Sequence, residues 1–184
     1  MIRLCSSSPT RAKILKEAKV EFIQSPCQFD EEAIVVKEPR EFVYVATYGK
    51  FEDALCRYGF EVPILVADTV VSVNNQILRK AKDFDDAKRL LELQSGNRVS
   101  IITCMIYKSK SKEMIDTSTT EYLFEKFNEE DLNEYLNSNE WQGKAGAIMV
   151  EGFAKKYIKR VDGYESTAMG LTIEKLIEIM GEEK

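Results

Sequence analysis

The chain has 184 residues, 44% apolar and 31% charged, with 26 basic against 31 acidic side chains and no histidine. Such a length suits one domain or two closely packed lobes of globular composition. The net charge of −5 argues against a broad nucleic-acid footprint but leaves room for a small basic pocket. Without histidine there is no histidine general base, no Ser-His-Asp or Cys-His site and no histidine-ligated zinc, so acid–base work falls to carboxylates, lysines, tyrosines or a metal-bound water.

Taken in chain order, Ile2–Cys5 reads as a short apolar strand. Ser8-Pro9 then predicts a helix start, with Ser8 as N-cap, Pro9 in the first turn, and Ile14, Leu15 and Ala18 on the apolar face. Val20–Ile23 predicts a second strand. Residues 24–38 read as a loop carrying the acidic triplet Asp30-Glu31-Glu32. In residues 40–58, Tyr44, Tyr48, Phe51, Leu55 and Tyr58 recur at helical spacing and predict a long amphipathic helix. Pro63–Val73 is an apolar run broken by Asp68-Thr69 and reads as a buried strand, followed by a hairpin arm at Gln76–Leu78.

Asp83 predicts the cap of a third helix with Phe84, Ala87, Leu90 and Leu91 on its face, ending at Ser95-Gly96. Val99–Tyr107 and Thr117–Phe124 read as a strand pair around the polar tip KSKSKE. Asn128 predicts a cap for a helix carrying Leu132, Tyr135 and Leu136. Residues 141–153 are irregular, Lys156–Val161 reads as a strand, and the last helix carries Leu171, Ile173, Leu176, Ile177 and Met180. Strands, hairpins and helices in this order predict an α/β fold with a mixed sheet. The cysteines at 5, 27, 56 and 104 form no CxxC, and Cys5 and Cys104 read as small buried hydrophobes. No leader core and no membrane-length apolar run is visible, so the expectation is a cytoplasmic protein with reduced thiols.

Four features carry chemistry. Ser6-Ser7-Ser8-Pro9-Thr10-Arg11 runs from a strand into a helix N-terminus, where amides, hydroxyls and Arg11 suit an anion, although Ser8 alone is also an ordinary cap. Asp68 sits in an apolar strand and must be paired, metal-bound or at an open end. Lys80 lies in a charged stretch that equally reads as solvated surface. Lys144-Ala145-Gly146-Ala147 and Glu151-Gly152-Phe153 let backbone approach a ligand, or simply make a tight loop.

The order of these blocks is more specific than any one of them. SSSPTR, the acidic triplet, ADTVV at 67–71, Lys80, LLELQSGNRVSIIT, GKAGAIMVEGF and the final GYESTAMGLTIEKL resemble the Maf family of nucleoside triphosphate pyrophosphatases over nearly the whole chain. The resemblance implies a single domain over residues 1–184. Its fold would be a mixed central sheet with flanking helices, in two lobes around a nucleotide cleft, related to the inosine-triphosphatase type. It implies cleavage of a small-molecule nucleotide between the α and β phosphates with Mg²⁺ or Mn²⁺, no nucleic-acid or membrane partner, and a homodimer as an open question. Residue by residue, it implies phosphate contacts for Ser6 and Arg11, a substrate contact for Lys50, a metal ligand at Glu31, a proton acceptor and metal ligand at Asp68, and a phosphate-facing lysine at Lys80.

Thr10, Val99 and Glu151 depart from the pyrimidine-preferring branch and lean toward the branch that hydrolyses 7-methyl-GTP. A carboxylate such as Glu151 can accept from the guanine N1–H and N2–H₂ edge. Ala81, Ile148 and Met149 match neither branch closely, which leaves as alternative a non-catalytic nucleotide-binding regulator of septum formation or cell division. A third reading, an inosine-triphosphate-type house-cleaning enzyme, is weaker because that family's own motifs are not matched.

Overall fold

The computed structural model describes residues 1–181. The side chain of Glu32 and residues 182–184, the last of the expected domain, lie outside the described residues. Seven strands form one mixed sheet in the order β2-β1-β3-β5-β6-β7, with β4 also on β3. They are β1 (Ile2–Leu4), β2 (Phe22–Gln24), β3 (Ile64–Val73), β4 (Gln76–Leu78), β5 (Arg98–Lys108), β6 (Glu113–Phe124) and β7 (Ile158–Asp162). The helices are α1 (Pro9–Glu17), α2 (Pro39–Tyr58), α3 (Phe84–Gln94), α4 (Glu129–Ser138), α5 (Glu165–Ala168) and α6 (Ile173–Gly181), with 3-10 turns at Glu31–Ala33 and Phe153–Tyr157. The mixed α/β class read from the sequence is the observed one.

The helix starts follow the local chemistry. Ser8 Oγ accepts from Arg11 N at 3.3 Å with Pro9 in the first turn, Asp83 accepts from Asp86 N at 2.8 Å, and Asn128 caps α4 through Glu130 N and Asp131 N. Several expectations shift: β6 begins at Glu113, not Thr117, and Leu171 lies before α6. The second strand begins at Phe22, not Val20. The last strand begins at Ile158, because Phe153–Tyr157 coils into a 3-10 turn that buries Ala154 and Tyr157. On α2 the aromatic series straddles the surface: Tyr44 and Tyr48 stand outside, while Phe42, Val43, Ala46, Phe51 and Ala54 face the sheet. Phe84 likewise lies on the outside of α3.

The central strand β3 is buried throughout except at Thr69, as a strand covered on both faces must be. Its side chains alternate. Ile64, Val66 and Val70 pack under α2 with Ile102, Cys104 and Ile106. Leu65 and Ala67 pack under α1 and α6 with Leu15, Met105 and Leu176. Further along, Val71 and Val73 enter a third region built from α3, α4, Trp141, Ile148 and Tyr157.

The two edges of β3 differ. β5 pairs with it from Ile64 to Ser72 without interruption. On the other edge β1 pairs in parallel only at Ile64 and Leu65, and β4 pairs antiparallel only from Val71 to Val73. Residues 66–70 therefore have a strand neighbour on one side alone, and the chain leaving β1 turns away into Ser6–Pro9. That split in the sheet is where the cleft opens. Among the described residues no helix is long and apolar enough to cross a membrane, and the four cysteines are free thiols.

Candidate active site

A cleft of about 570 Å³ fills the split. One wall is the turn from Cys5 to Arg11, the floor is Ala67-Asp68-Thr69, and the far wall is Lys80 with residues 142–151. Met169-Gly170 and Glu31 close its sides.

The turn after β1 is held from both ends. Ser6 is buried, and its Oγ accepts from Ser8 N at 3.2 Å and from Arg11 Nη1 at 3.1 Å. Gln24 Nε2 donates to Ser6 O at 2.8 Å, which occupies a carbonyl of the turn. The first turn of α1 lines the cleft, and the positive end of a helix dipole favours an anion there.

The Arg11 guanidinium is clamped. Nε donates to Gly170 O at 2.7 Å and Nη2 to Thr69 Oγ1 at 3.2 Å, besides the Nη1 bond to Ser6. Burial pulls its pKa below the ordinary arginine value, and the Asp68 and Glu31 charges oppose that pull. A guanidinium still keeps its charge across the physiological range.

On the opposite face of β3, Lys50 reaches down from α2 between two carboxylates. Its Nζ lies 2.7 Å from Asp68 Oδ1 and 2.5 Å from Glu31 Oε1. Burial alone would lower the Lys50 pKa, but Asp68 and Glu31 together outweigh it and hold the ammonium above its ordinary value. Asp68 is 6% exposed, and its Oδ2 is buried with no hydrogen-bond partner among the described residues. A carboxylate oxygen in that state has unused capacity, which a small shift of its covering neighbours would open to a water, a ligand donor or a coordinated cation.

Lys80 is exposed on the far wall, tied through its backbone to Ala145, and its side chain forms no ion pair among the described residues. Glu151 is exposed on the same wall, and the half-buried Lys144 also lines it. The residues singled out from the sequence thus share one cleft: Ser6, Arg11, Glu31, Lys50, Asp68, Lys80 and Glu151 all line it. Sequence reasoning missed Gln24, Thr69, Thr103 and Gly170. They are uncharged, and their partners lie 16 to 159 residues away. Only the polar interruption Asp68-Thr69 in an apolar strand pointed at one of them.

No group of three or more acidic, cysteine or histidine side chains suited to a metal occurs among the described residues. Two carboxylates do converge, with a lysine ammonium now between them. That donor set suits a cation such as Mg²⁺ that takes one or two protein carboxylates and completes its shell with water and phosphate oxygens. The unpartnered Asp68 Oδ2 fits the same purpose.

The family model described as Maf-like protein matches residues 1–183. A nucleoside triphosphate pyrophosphatase from Nitratiruptor sp. is 60% identical over 181 residues, covering 97% of this chain and 98% of that protein. One of the same description from Helicobacter pylori is 40% identical over 174 residues, covering 95% and 92%. A third, from Campylobacter jejuni subsp. doylei, is 36% identical over 181 residues, covering 96% and 98%. Among solved structures, a nucleoside-triphosphatase / dITP/XTP pyrophosphatase from Mycobacterium abscessus is similar at 13% identity and a TM-score of 0.44, over 67% of this chain and 72% of that one.

Proposed function

The chain belongs to the Maf-like protein family, and we propose that it hydrolyses a nucleoside triphosphate between the α and β phosphates, with Ser6, Arg11, Lys50 and Lys80 on the anionic tail and Asp68 on the attacking water. By its family and its relatives the protein is a nucleoside triphosphate pyrophosphatase, a hydrolase of acid anhydrides in nucleotide metabolism.

The observation that carries the site assignment is the convergence of clamped Arg11 and half-free Asp68 in one cleft. Triphosphate hydrolysis asks the protein to neutralise spread negative charge and to align a water. Fixed cations supply the first. Asp68 Oδ2 supplies the second: it accepts the proton of the water whose oxygen adds to phosphorus, while the α–β anhydride bond breaks and pyrophosphate leaves. With no histidine in the chain, a carboxylate is the natural base.

A divalent cation, Mg²⁺ or Mn²⁺, is part of this proposal, held by Glu31 and Asp68. When bound it would supply positive charge that offsets the charge of the phosphate tail. Lys50, now between those two carboxylates, would turn its ammonium to the substrate tail. For the base, we propose a guanine-type ring with positive character, such as 7-methyl-GTP. The exposed Glu151 on the cleft wall supports it, since a carboxylate accepts from the guanine edge and attracts a cationic ring.

The test is pyrophosphate release from 7-methyl-GTP, GTP, UTP and dTTP, each with Mg²⁺, with Mn²⁺ and with chelator. Turnover that requires the metal and is fastest with 7-methyl-GTP is the expected result. Folded protein that binds nucleotides but releases no pyrophosphate would return the protein to a binding or regulatory role.

A further inference from the structure

Behind the cleft, two threonine hydroxyls and the carbonyl of a third threonine form a chain. Thr69 Oγ1 lies 2.8 Å from Thr103 Oγ1, and Thr103 Oγ1 donates to Thr167 O at 2.7 Å. A hydroxyl has one proton. Because the Thr103 proton is committed to the Thr167 carbonyl, the bond between the two hydroxyls runs one way: Thr69 donates and Thr103 accepts. The Thr69 oxygen then has only lone pairs left, and it turns them to Arg11 Nη2, which donates at 3.2 Å. The whole sequence reads Arg11 Nη2–H to Thr69, Thr69 O–H to Thr103, Thr103 O–H to the Thr167 carbonyl.

The far end of this relay returns to the arginine. Thr167 lies in α5, and Gly170, in the turn just after it, accepts from Arg11 Nε at 2.7 Å. The turn is itself closed by Gly170 N to Thr167 O at 3.0 Å and by the Thr167 and Thr172 hydroxyls 2.9 Å apart. The guanidinium is thus held at Nε and Nη2 by one ring of bonds that passes through Thr103. Thr103 and Thr167 are both fully buried, so bulk solvent does not reach the link and a lost bond there is costly.

Resting on the assignment of Arg11 to the phosphates, we infer that Thr103, which lines no part of the cleft, is a positioning residue that sets the direction of the Thr69 hydroxyl and thereby the orientation of Arg11. With three of five N–H groups engaged by Ser6, Thr69 and Gly170, the arginine has two left for the substrate, and the relay decides where they point. Without the acceptor at 103, the Thr69 proton loses its partner, and nothing behind the strand fixes the rotamer that presents the Thr69 lone pairs to Arg11.

The experiment uses the whole chain and compares wild type, Thr103→Val, Thr103→Ser and Thr69→Val. Valine keeps the shape and removes the hydroxyl. Pyrophosphate release at saturating and limiting triphosphate gives kcat and KM, and calorimetric titration with inorganic pyrophosphate, which needs no turnover, probes the anion site directly. Thr103→Val should lower kcat/KM about tenfold and weaken pyrophosphate binding by a similar factor, with Thr103→Ser within about threefold of wild type. Thr69→Val breaks the same relay at a less buried position and serves where Thr103→Val does not fold. In an Arg11→Met background, adding Thr103→Val or Thr69→Val should cost nothing further, since their action passes through the guanidinium. Equal losses in both backgrounds, or valine variants that match wild type, would overturn the inference. Wild-type protein without turnover would instead overturn the proposed reaction, and pyrophosphate binding would still report on the relay.

Discussion

Lys50 holds only one of the two oxygens of Asp68: its Nζ lies 2.7 Å from Oδ1, while Oδ2 is buried with no hydrogen-bond partner among the described residues. A carboxylate engaged for structure alone would have both oxygens satisfied. This division predicts the effect of Asp68→Asn, which keeps the size but removes the charge. Pyrophosphate release should fall by about a hundredfold or more, the range for losing a general base, while triphosphate binding changes by no more than a few-fold. Steady-state turnover beside a nucleotide titration checks it. Equal losses of both would move Asp68 from the water to ligand positioning.

The same pair predicts a pH signature. The folded-state pKa of Lys50 lies above its ordinary value of 10.5, burial being outweighed by Asp68 and Glu31. A group raised in this way stabilises the fold fully below its unfolded pKa and loses that contribution as pH climbs through the folded one. Lys50→Met should therefore be less stable than wild type at pH 7, by roughly 2 kcal/mol for an uncompensated, mostly buried Asp68. The gap should narrow as pH rises beyond about 10.5. Urea midpoints for the two proteins at pH 7, 9 and 11 measure it, and a gap that stays constant would contradict the assignment.

Lys80 differs in kind, since it is exposed and its side chain forms no ion pair among the described residues. Lys80→Ala should leave the unfolding free energy within about 0.5 kcal/mol of wild type, read from urea midpoints. Triphosphate KM should rise and kcat should fall together, because a cation on the transferred charge acts in both states. Unaltered kinetics would return Lys80 to the solvated surface that a charged stretch ordinarily makes.

What the sequence disclosed and what it withheld divide along the range of the forces involved. Caps at Ser8, Asp83 and Asn128 were legible because donor and acceptor lie two or three residues apart. Asp68 was legible because a charge in an apolar strand demands a partner. The face of α2 was not, since Tyr44 and Tyr48 obey the same period as buried residues, and only the packing of α2 on β3 and β5 decides which stripe turns inward. Nor was the role of Gly170, whose carbonyl meets a side chain 159 residues earlier. Nothing local marks an uncharged residue that acts through its backbone at such a separation.

Gly170 is also the sharpest remaining test of the Arg11 clamp. Its φ of +102° lies where a side chain is strained, and a Cβ there would stand 3.2 Å from Thr69 Oγ1 and 3.4 Å from Arg11 Nε. Gly170→Ala should therefore act in two ways. The backbone strain should cost about 1–2 kcal/mol, read as a lower melting temperature. The crowding should push the guanidinium off its carbonyl and lower kcat/KM by more than the loss of folded protein explains. Arg11→Lys supplies the contrast: an ammonium cannot make the three bonds to Gly170, Thr69 and Ser6 together, so activity should fall about a hundredfold with the glycine intact. If the clamp works as the geometry requires, Gly170→Ala added to Arg11→Lys should lower stability further but leave the residual activity per folded molecule unchanged.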